Sequence, residues 1–335
     1  MRNKNEAKTE TAVPKDSEYM IEICNLVKRY GNNYALNGIS FNVGKGEIVG
    51  FLGPNGAGKS TTMNILTGFL SSDSGNVKIG GIDILDDPDN AKKLIGYLPE
   101  LPPLYPDMTV SEYLEFVYEL KRCTLPKKAH LDEIYRVTKT LEVKDRLIAN
   151  LSKGYKQRVG IAEALVGDPK VIVFDEPTVG LDPKQIIEIR NLIRRLGRSH
   201  TVILSTHILS EVQAVCDRIV IIENGTIIAD RKTDEIATVM GRGRRYSVTI
   251  CGPNADILRA LRSMNGITVA ELGGKRDMDG NVFNIECEST IDMRKEIFRL
   301  CASKDWPIIG FESAAVSLED VFIKLTEHKD GSKSR

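Results

Sequence analysis

The 335-residue chain carries 46 Lys+Arg against 46 Asp+Glu, a net charge of +0, so no overall field draws it to a polyanion such as nucleic acid. Its hydrophobic fraction of 41% supports a sizeable core, and its length predicts one large domain plus a smaller one. The six cysteines lack C-x-x-C spacing and read as reduced thiols, and no apolar run approaches the roughly 20 residues that span a bilayer.

Residues 1–18 are polar, have no apolar segment of the signal-peptide kind, and read as a disordered lead-in. Folding is predicted from Tyr19. Tyr19–Ile23 and Ile39–Val43 partly alternate, with a turn at Tyr30–Tyr34, which predicts a two-stranded antiparallel flap. Tyr30 stands before that turn and could stack on a purine, although a lone turn tyrosine more often only packs.

The apolar run Ile48–Leu52 leads into Gly53-Pro54-Asn55-Gly56-Ala57-Gly58-Lys59-Ser60-Thr61, and helical spacing starts at Met63 and Leu66. Strand, glycine-rich turn and helix start are the context a phosphate-binding P-loop requires. Glycines let successive N–H groups turn toward an anion. Lys59 would reach the β- and γ-phosphates and the Ser60 hydroxyl would ligate Mg²⁺. The chain therefore reads as a nucleoside-triphosphate binder.

A short strand at Asn76–Gly81 and another at Ile95–Glu100 follow, the second running into a loop with Pro102, Pro103 and Pro106. Thr109 and Glu112 have capping-box spacing, and Val110, Tyr113, Leu114 and Val117 form one helical apolar face. A second helical pattern covers Leu131–Leu141, so residues 109–150 read as a helical insertion. Leu151-Ser152-Lys153-Gly154 begins a further helix with Ser152 as N-cap. Alone, that feature is either a capped helix or an anion-binding helix end.

From Lys170 short buried runs alternate with helices: Val171–Phe174, a helix over Ile186–Leu196, Thr201–Ser205 and Ile219–Ile222. This predicts an α/β domain with a mostly parallel sheet, with ligands at the carboxyl strand ends. There stand Asp175, placed to hold Mg²⁺, and Glu176, placed to orient an attacking water as general base. Beyond a linker at Gly241–Arg245, the order strand, helix, strand, strand, helix, strand over residues 246–312 matches the split β-α-β, ferredoxin-like motif, with a last helix from Leu318. The predicted organisation is thus 1–18 lead-in, 19–240 nucleotide-binding domain with its helical subdomain at about 109–150, and 246–328 accessory α+β domain.

Gly53–Thr61, Leu151–Arg158, Val171–Pro177, Leu181-Asp182 and Ser205-Thr206-His207, in this order, resemble the ATP-binding subunit of an ABC transporter over about residues 19–230. The C-terminal part, ending Ser317–Phe322, resembles the extra domain of the multidrug, antibiotic and gliding-type export systems. The resemblance implies a P-loop NTPase fold of ABC type, with ATP and Mg²⁺ as cofactors. By the same resemblance Tyr30 would stack on adenine, and Gly53, Pro54, Asn55, Gly56, Ala57, Gly58, Lys59, Ser60 and Thr61 would hold the phosphates. Glu176 would be the catalytic base and His207 would contact the γ-phosphate. Ser60, Asp175 and Glu100 would serve the metal, Glu100 standing where the family usually has glutamine. Ser152 and Gly154 would contact ATP held by a partner subunit, with Asp182 at the dimer seam. Lys153 and Tyr155 depart from the glycine and glutamine commoner in that signature.

The resemblance further implies a homodimer, or a heterodimer with a related subunit, on the cytoplasmic face of the membrane. It would hydrolyse ATP to power export by a separate multi-span permease. A soluble ABC-type ATPase acting on ribosomes or DNA is the alternative, disfavoured by the single P-loop, the absence of sustained heptads between Lys59 and Asp175, and the neutral charge.

Overall fold

In the computed structural model the described residues are 18–235, 243–276, 280–288 and 292–313. Residues 1–17 of the expected 1–18 lead-in, the start of the linker, the Ser317–Phe322 segment and the helix from Leu318 lie outside them. The chain divides into two compact units, residues 1–233 and 234–335.

The first unit holds two sheets. Strands β1 (Tyr19–Tyr30) and β2 (Asn33–Gly44) pair antiparallel, as the flap expectation has it. The sheet is wider than that expectation, because β4 (Ser74–Ile79) pairs with the free edge of β1, and β5 (Ile82–Asp83) with β4. An unpaired edge between residues 21 and 27 would leave a row of backbone donors and acceptors unsatisfied.

The second sheet has the order β10-β9-β3-β8-β7-β6. Its members are β3 (Ile48–Leu52), β6 (Ile95–Leu98), β7 (Val171–Asp175), β8 (Thr201–Thr206), β9 (Arg218–Glu223) and β10 (Thr226–Lys232). The five strands from β9 to β6 pair parallel, and every residue of β3, β7 and β8 is buried. Continuous apolar runs are what a sheet covered on both faces demands. Strand β10 is antiparallel to β9. The turn between them, Asn224-Gly225, has φ of 46° and 73°, the left-handed pair a two-residue hairpin favours.

Both sheets share a core in which Phe41 of β2 stacks on Phe51 of β3 with ring centroids 5.3 Å apart. Arg218 of β9 ties the sheets by bonding Glu47 at 2.6 Å, Asp230 of β10 at 2.7 Å, and the Asn42 carbonyl of β2.

The helices are α1 (Lys59–Leu66), α2 (Pro88–Lys93), α3 (Val110–Leu120), α4 (Lys127–Thr138), α5 (Lys153–Leu165), α6 (Pro183–Leu196) and α7 (Leu209–Val215). The Thr109–Glu112 capping box forms at the start of α3. Between α3 and the start of α5 lie only α4 and two short 3₁₀ turns, so residues 109–150 are a helical insertion.

The second unit has strands β11 (Gly243–Ile250), β12 (Ile267–Arg276), β13 (Asn281–Glu288) and β14 (Ile308–Ser313), and helices α8 (Asn254–Arg262) and α9 (Arg294–Ser303). Its sheet is antiparallel with the order β12-β13-β11-β14, and its core gathers Val248, Phe283 and Ile285 with Ile257 and Ile297 of the helices. Gly243–Arg245, expected in the linker, already belong to β11, where they pair with Glu286–Glu288.

Candidate functional site

Strands β3, β8, β7 and β6 run parallel, so their carboxyl ends open on one side of the sheet and each delivers residues to one cleft of about 330 Å³. From β3 comes the loop Gly53–Gly58. Gly56 and Gly58 have φ of 82° and 109°, and a Cβ on Gly58 would lie 2.6 Å from the Ala35 carbonyl oxygen. Only glycine tolerates both the angle and the approach. Lys59, Ser60 and Thr61 begin α1, whose free N–H groups and positive dipole end favour an anion. Buried Lys59 turns its Nζ back to donate to the Gly53 and Pro54 carbonyls at 2.9 and 3.2 Å.

Strand β7 ends in Asp175 and passes directly to Glu176. Glu176 adopts φ of 48°, a left-handed conformation that costs a non-glycine residue energy and persists where surroundings impose it. Its N–H donates to the Ser205 carbonyl of β8 at 2.9 Å. His207 follows β8 and places Nδ1 2.9 and 3.0 Å from the two Glu176 carboxylate oxygens. Lys59 Nζ lies 3.5 Å from Glu176 Oε1. The three side chains thus stand in a row, Lys59 beside Glu176 and Glu176 hydrogen-bonded to His207. Glu100, two residues past β6, stands exposed on another wall.

Asp175 is buried, and its Oδ1 has no hydrogen-bond partner among the described residues. Burial raises its pKa, while the Ser205 and Ser60 side chains pull it down less strongly. A desolvated, unpartnered carboxylate oxygen beside a hydroxyl suits a hard cation that brings its remaining ligands from phosphates and water. The residues present fit Mg²⁺.

Asn55, Gly56, Gly58, Lys59, Ser60, Thr61, Glu100, Glu176 and His207 therefore line the cleft together. Gly53 and Pro54 hold Lys59 from behind, and Ala57 is buried under the loop, its N–H donating to Pro54. Tyr30 is not brought to the cleft; it is 53% exposed beside Lys28, while Ala35 of the same hairpin is a lining residue. Ser152, Gly154 and Asp182 do not line the cleft either. Ser152 caps α5 and Asp182 caps α6 by accepting from the Tyr155 and Gln185 N–H groups at 3.4 and 2.9 Å. The two helix starts abut, since a Cβ on Gly154 would lie 2.6 Å from the Gln185 side chain.

Glu211, in the first turn of α7, escapes sequence reasoning. It is 2% exposed and accepts from Thr178, two residues after Glu176, and from Thr206, immediately before His207. An acidic residue in a first helical turn is too common to mark it.

Comparison with known proteins places this geometry. The sequence pattern of the family described as ABC transporter matches residues 36–179. The chain is 38% identical over 266 residues to the linearmycin resistance ATP-binding protein LnrL of Bacillus subtilis (strain 168), covering 77% of this chain and 85% of that protein. It is 32% identical to the bacitracin transport ATP-binding protein BcrA of Bacillus licheniformis, covering 91% and 97%. Among solved structures, an ATP-binding cassette dimer in a post-hydrolysis state, bound to ADP and Pi, is 29% identical with a TM-score of 0.58, covering 64% of this chain and 99% of that one.

Proposed function

Because the chain belongs to the family of ABC transporter ATP-binding subunits, which hydrolyse ATP, we propose that its cleft binds MgATP and that two copies hydrolyse it together to power export by a separate membrane permease. The observation that carries this reading is the convergence of Lys59, Glu176 and His207, from the segments that follow β3, β7 and β8, on one cleft lined by the glycine-rich loop.

The P-loop N–H groups and Lys59 bind and orient the β- and γ-phosphates. Incoming phosphate oxygens compete with Glu176 for Lys59, which leaves the Glu176 carboxylate free to take a proton from the attacking water. His207, held at Nδ1 by Glu176, presents its other ring nitrogen toward the γ-phosphate. Ser60 and Asp175 would hold Mg²⁺, with Glu100 beside them, and the ion would neutralise charge on the β- and γ-oxygens. The adenine lies toward the β1–β2 hairpin, whose Ala35 lines the cleft; Tyr30, which stands outside it, would have to turn inward to stack on the base.

Ser152, Gly154 and Asp182 lie at abutting helix starts outside their own chain's cleft. A second copy, placed head to tail, brings them to the γ-phosphate held by the first. The permease docks on the helical insertion and the loop after β6. That loop and α3 expose Leu101 (81%), Tyr105 and Leu120, with the Tyr105 and Phe116 rings 5.6 Å apart; isolated exposed apolar residues are ordinary, but a rimmed cluster of them marks an interaction surface. No helix among the described residues is long and apolar enough to cross a membrane. By family membership the permease supplies the spans, and this subunit sits against it on the cytoplasmic face. The names of the relatives favour an antibiotic-like cargo. No observation favours action on ribosomes or DNA.

Phosphate release by the purified chain tests the central role. Glu176→Gln should lower kcat at least 100-fold, as loss of a positioned base or charge does, with MgATP binding retained. Equal release by both proteins would remove Glu176 from its role.

A further inference from the structure

Glu211 is a buried carboxylate with no part in the mechanism above. Its two oxygens are divided between the segment leaving β7 and the end of β8. Oε1 accepts from Thr178 Oγ1 at 2.5 Å, and Oε2 accepts from Thr206 Oγ1 at 3.1 Å. Thr178 lies two residues after Glu176 on the exit of β7, and Thr206 is the last residue of β8, immediately before His207. Both threonines are buried. Arg190 of α6 approaches Glu211 Oε1 at 3.7 Å, and the Thr206 hydroxyl also accepts from the Ile208 N–H at 3.1 Å, which fixes the turn that carries His207.

A carboxylate is seldom buried unless its oxygens are satisfied. Here the satisfaction comes from the two segments whose functional side chains must meet. The same segments carry a non-glycine residue, Glu176, in a left-handed conformation, which surrounding contacts have to maintain. We propose that Glu211 is a positioning residue for ATP hydrolysis: its carboxylate straps the exits of β7 and β8 together and thereby sets the Glu176–His207 separation. This rests on the reading of Glu176 as base and His207 as its γ-phosphate-facing partner. Glu211 itself touches neither group.

Glutamine at 211 keeps the size but leaves one acceptor oxygen for two threonine donors. Full-length Glu211→Gln, Thr178→Val and Thr206→Val are compared with Glu176→Gln and His207→Ala in steady-state phosphate release, with thermal unfolding as a check on folding. A displacement near 1 Å costs up to about 100-fold in rate, so each strap variant should lose about tenfold in kcat, with KM for ATP within about twofold of wild type. Glu211→Gln should cost little further in a His207→Ala background, because the strap acts through that pair. Wild-type kcat in the strap variants, or an equal further loss in the His207→Ala background, overturns the proposal.

If Glu176→Gln and His207→Ala themselves release phosphate normally, the catalytic reading fails instead. The strap is then judged on a readout that needs no turnover. The ¹⁵N shifts of the His207 ring report its Nδ1 bond to Glu176; they should move in folded Glu211→Gln, and unchanged shifts would leave Glu211 a structural residue only.

Discussion

Asp175 closes β7 in extended conformation with its carboxylate buried, whereas Glu176, one residue on, takes φ of 48° and reaches His207. Adjacent acids are thereby assigned opposite surroundings, one suited to a cation and one to a proton. Burial, the dominant influence on Asp175, raises its pKa in the folded chain. A raised pKa means that this group's contribution to stability is full below the unfolded-state value and is lost as pH rises through the folded one. At neutral pH an ionised Asp175 therefore opposes folding unless a cation is present. Asp175→Asn should stabilise the nucleotide-free chain by about 1 kcal/mol in thermal unfolding near pH 7, the scale of one relieved buried polar group. The same substitution should lower MgATP hydrolysis on the order of 100-fold. In the wild type, Mg²⁺-dependent nucleotide binding should weaken as pH falls through a value above the ordinary aspartate range, and Asp175→Asn should remove that dependence.

At the scale of elements, how much was legible depended on whether the signal was local. The buried parallel strands showed as continuous apolar runs, and the start of α3 showed as Thr109 with Glu112. The beginning of α4 at Lys127 did not show, because its first turn is polar and carries none of the apolar spacing that starts at Leu131. Helix α6 begins three residues before the expected Ile186, although Asp182 followed by Pro183 is a start signal of its own. Strand β10 was not expected, although Asn224-Gly225 is a hairpin signal that could have found it. The pairing of β4 with β1 and the meeting of Thr178, Thr206 and Glu211 depend on contacts between distant residues, and no spacing encodes them. The Arg218 cluster is of this kind and makes a prediction. Burial raises the pKa of Glu47, but hydrogen bonds from Arg218 and the Gly44 N–H outweigh it and hold the pKa below its ordinary value. A lowered pKa gives stability that is present above the unfolded-state value and lost as pH falls through the folded one. Wild-type unfolding free energy should therefore drop below about pH 4.3, the ordinary glutamate value, and Glu47→Gln should flatten that drop. Arg218→Met should cost on the order of 2 kcal/mol at pH 7, since it leaves charged acceptors unpaired between two sheets.

For the whole molecule, the sequence pattern changes near Gly241, whereas the second compact unit begins at Asp234. Its role is not written in its fold. The first unit makes a sharper demand. Lys59, Glu176 and His207 complete only half of what the ordered motifs supply, because Ser152, Gly154 and Asp182 gather at the starts of α5 and α6 and do not line the cleft. In one chain these residues act as caps and spacers. In the proposed head-to-tail pair each nucleotide would have a P-loop from one chain and the α5 start of the other, so ATP would be a ligand of the interface and its hydrolysis would release the pair. The full-length Glu176→Gln protein should therefore shift to a dimer in light scattering when MgATP is saturating and return to a monomer when nucleotide is removed. Gly154→Asp, introduced into Glu176→Gln, adds a charge at the α5 start, outside the cleft of its own chain. It should leave monomer MgATP affinity within about twofold while abolishing the dimer, because a carboxylate facing the partner's γ-phosphate opposes association by like-charge repulsion. A Glu176→Gln protein that stays monomeric with saturating MgATP, or a double variant that dimerises as readily as the single one, would show that the helix starts do not meet the nucleotide of a second copy.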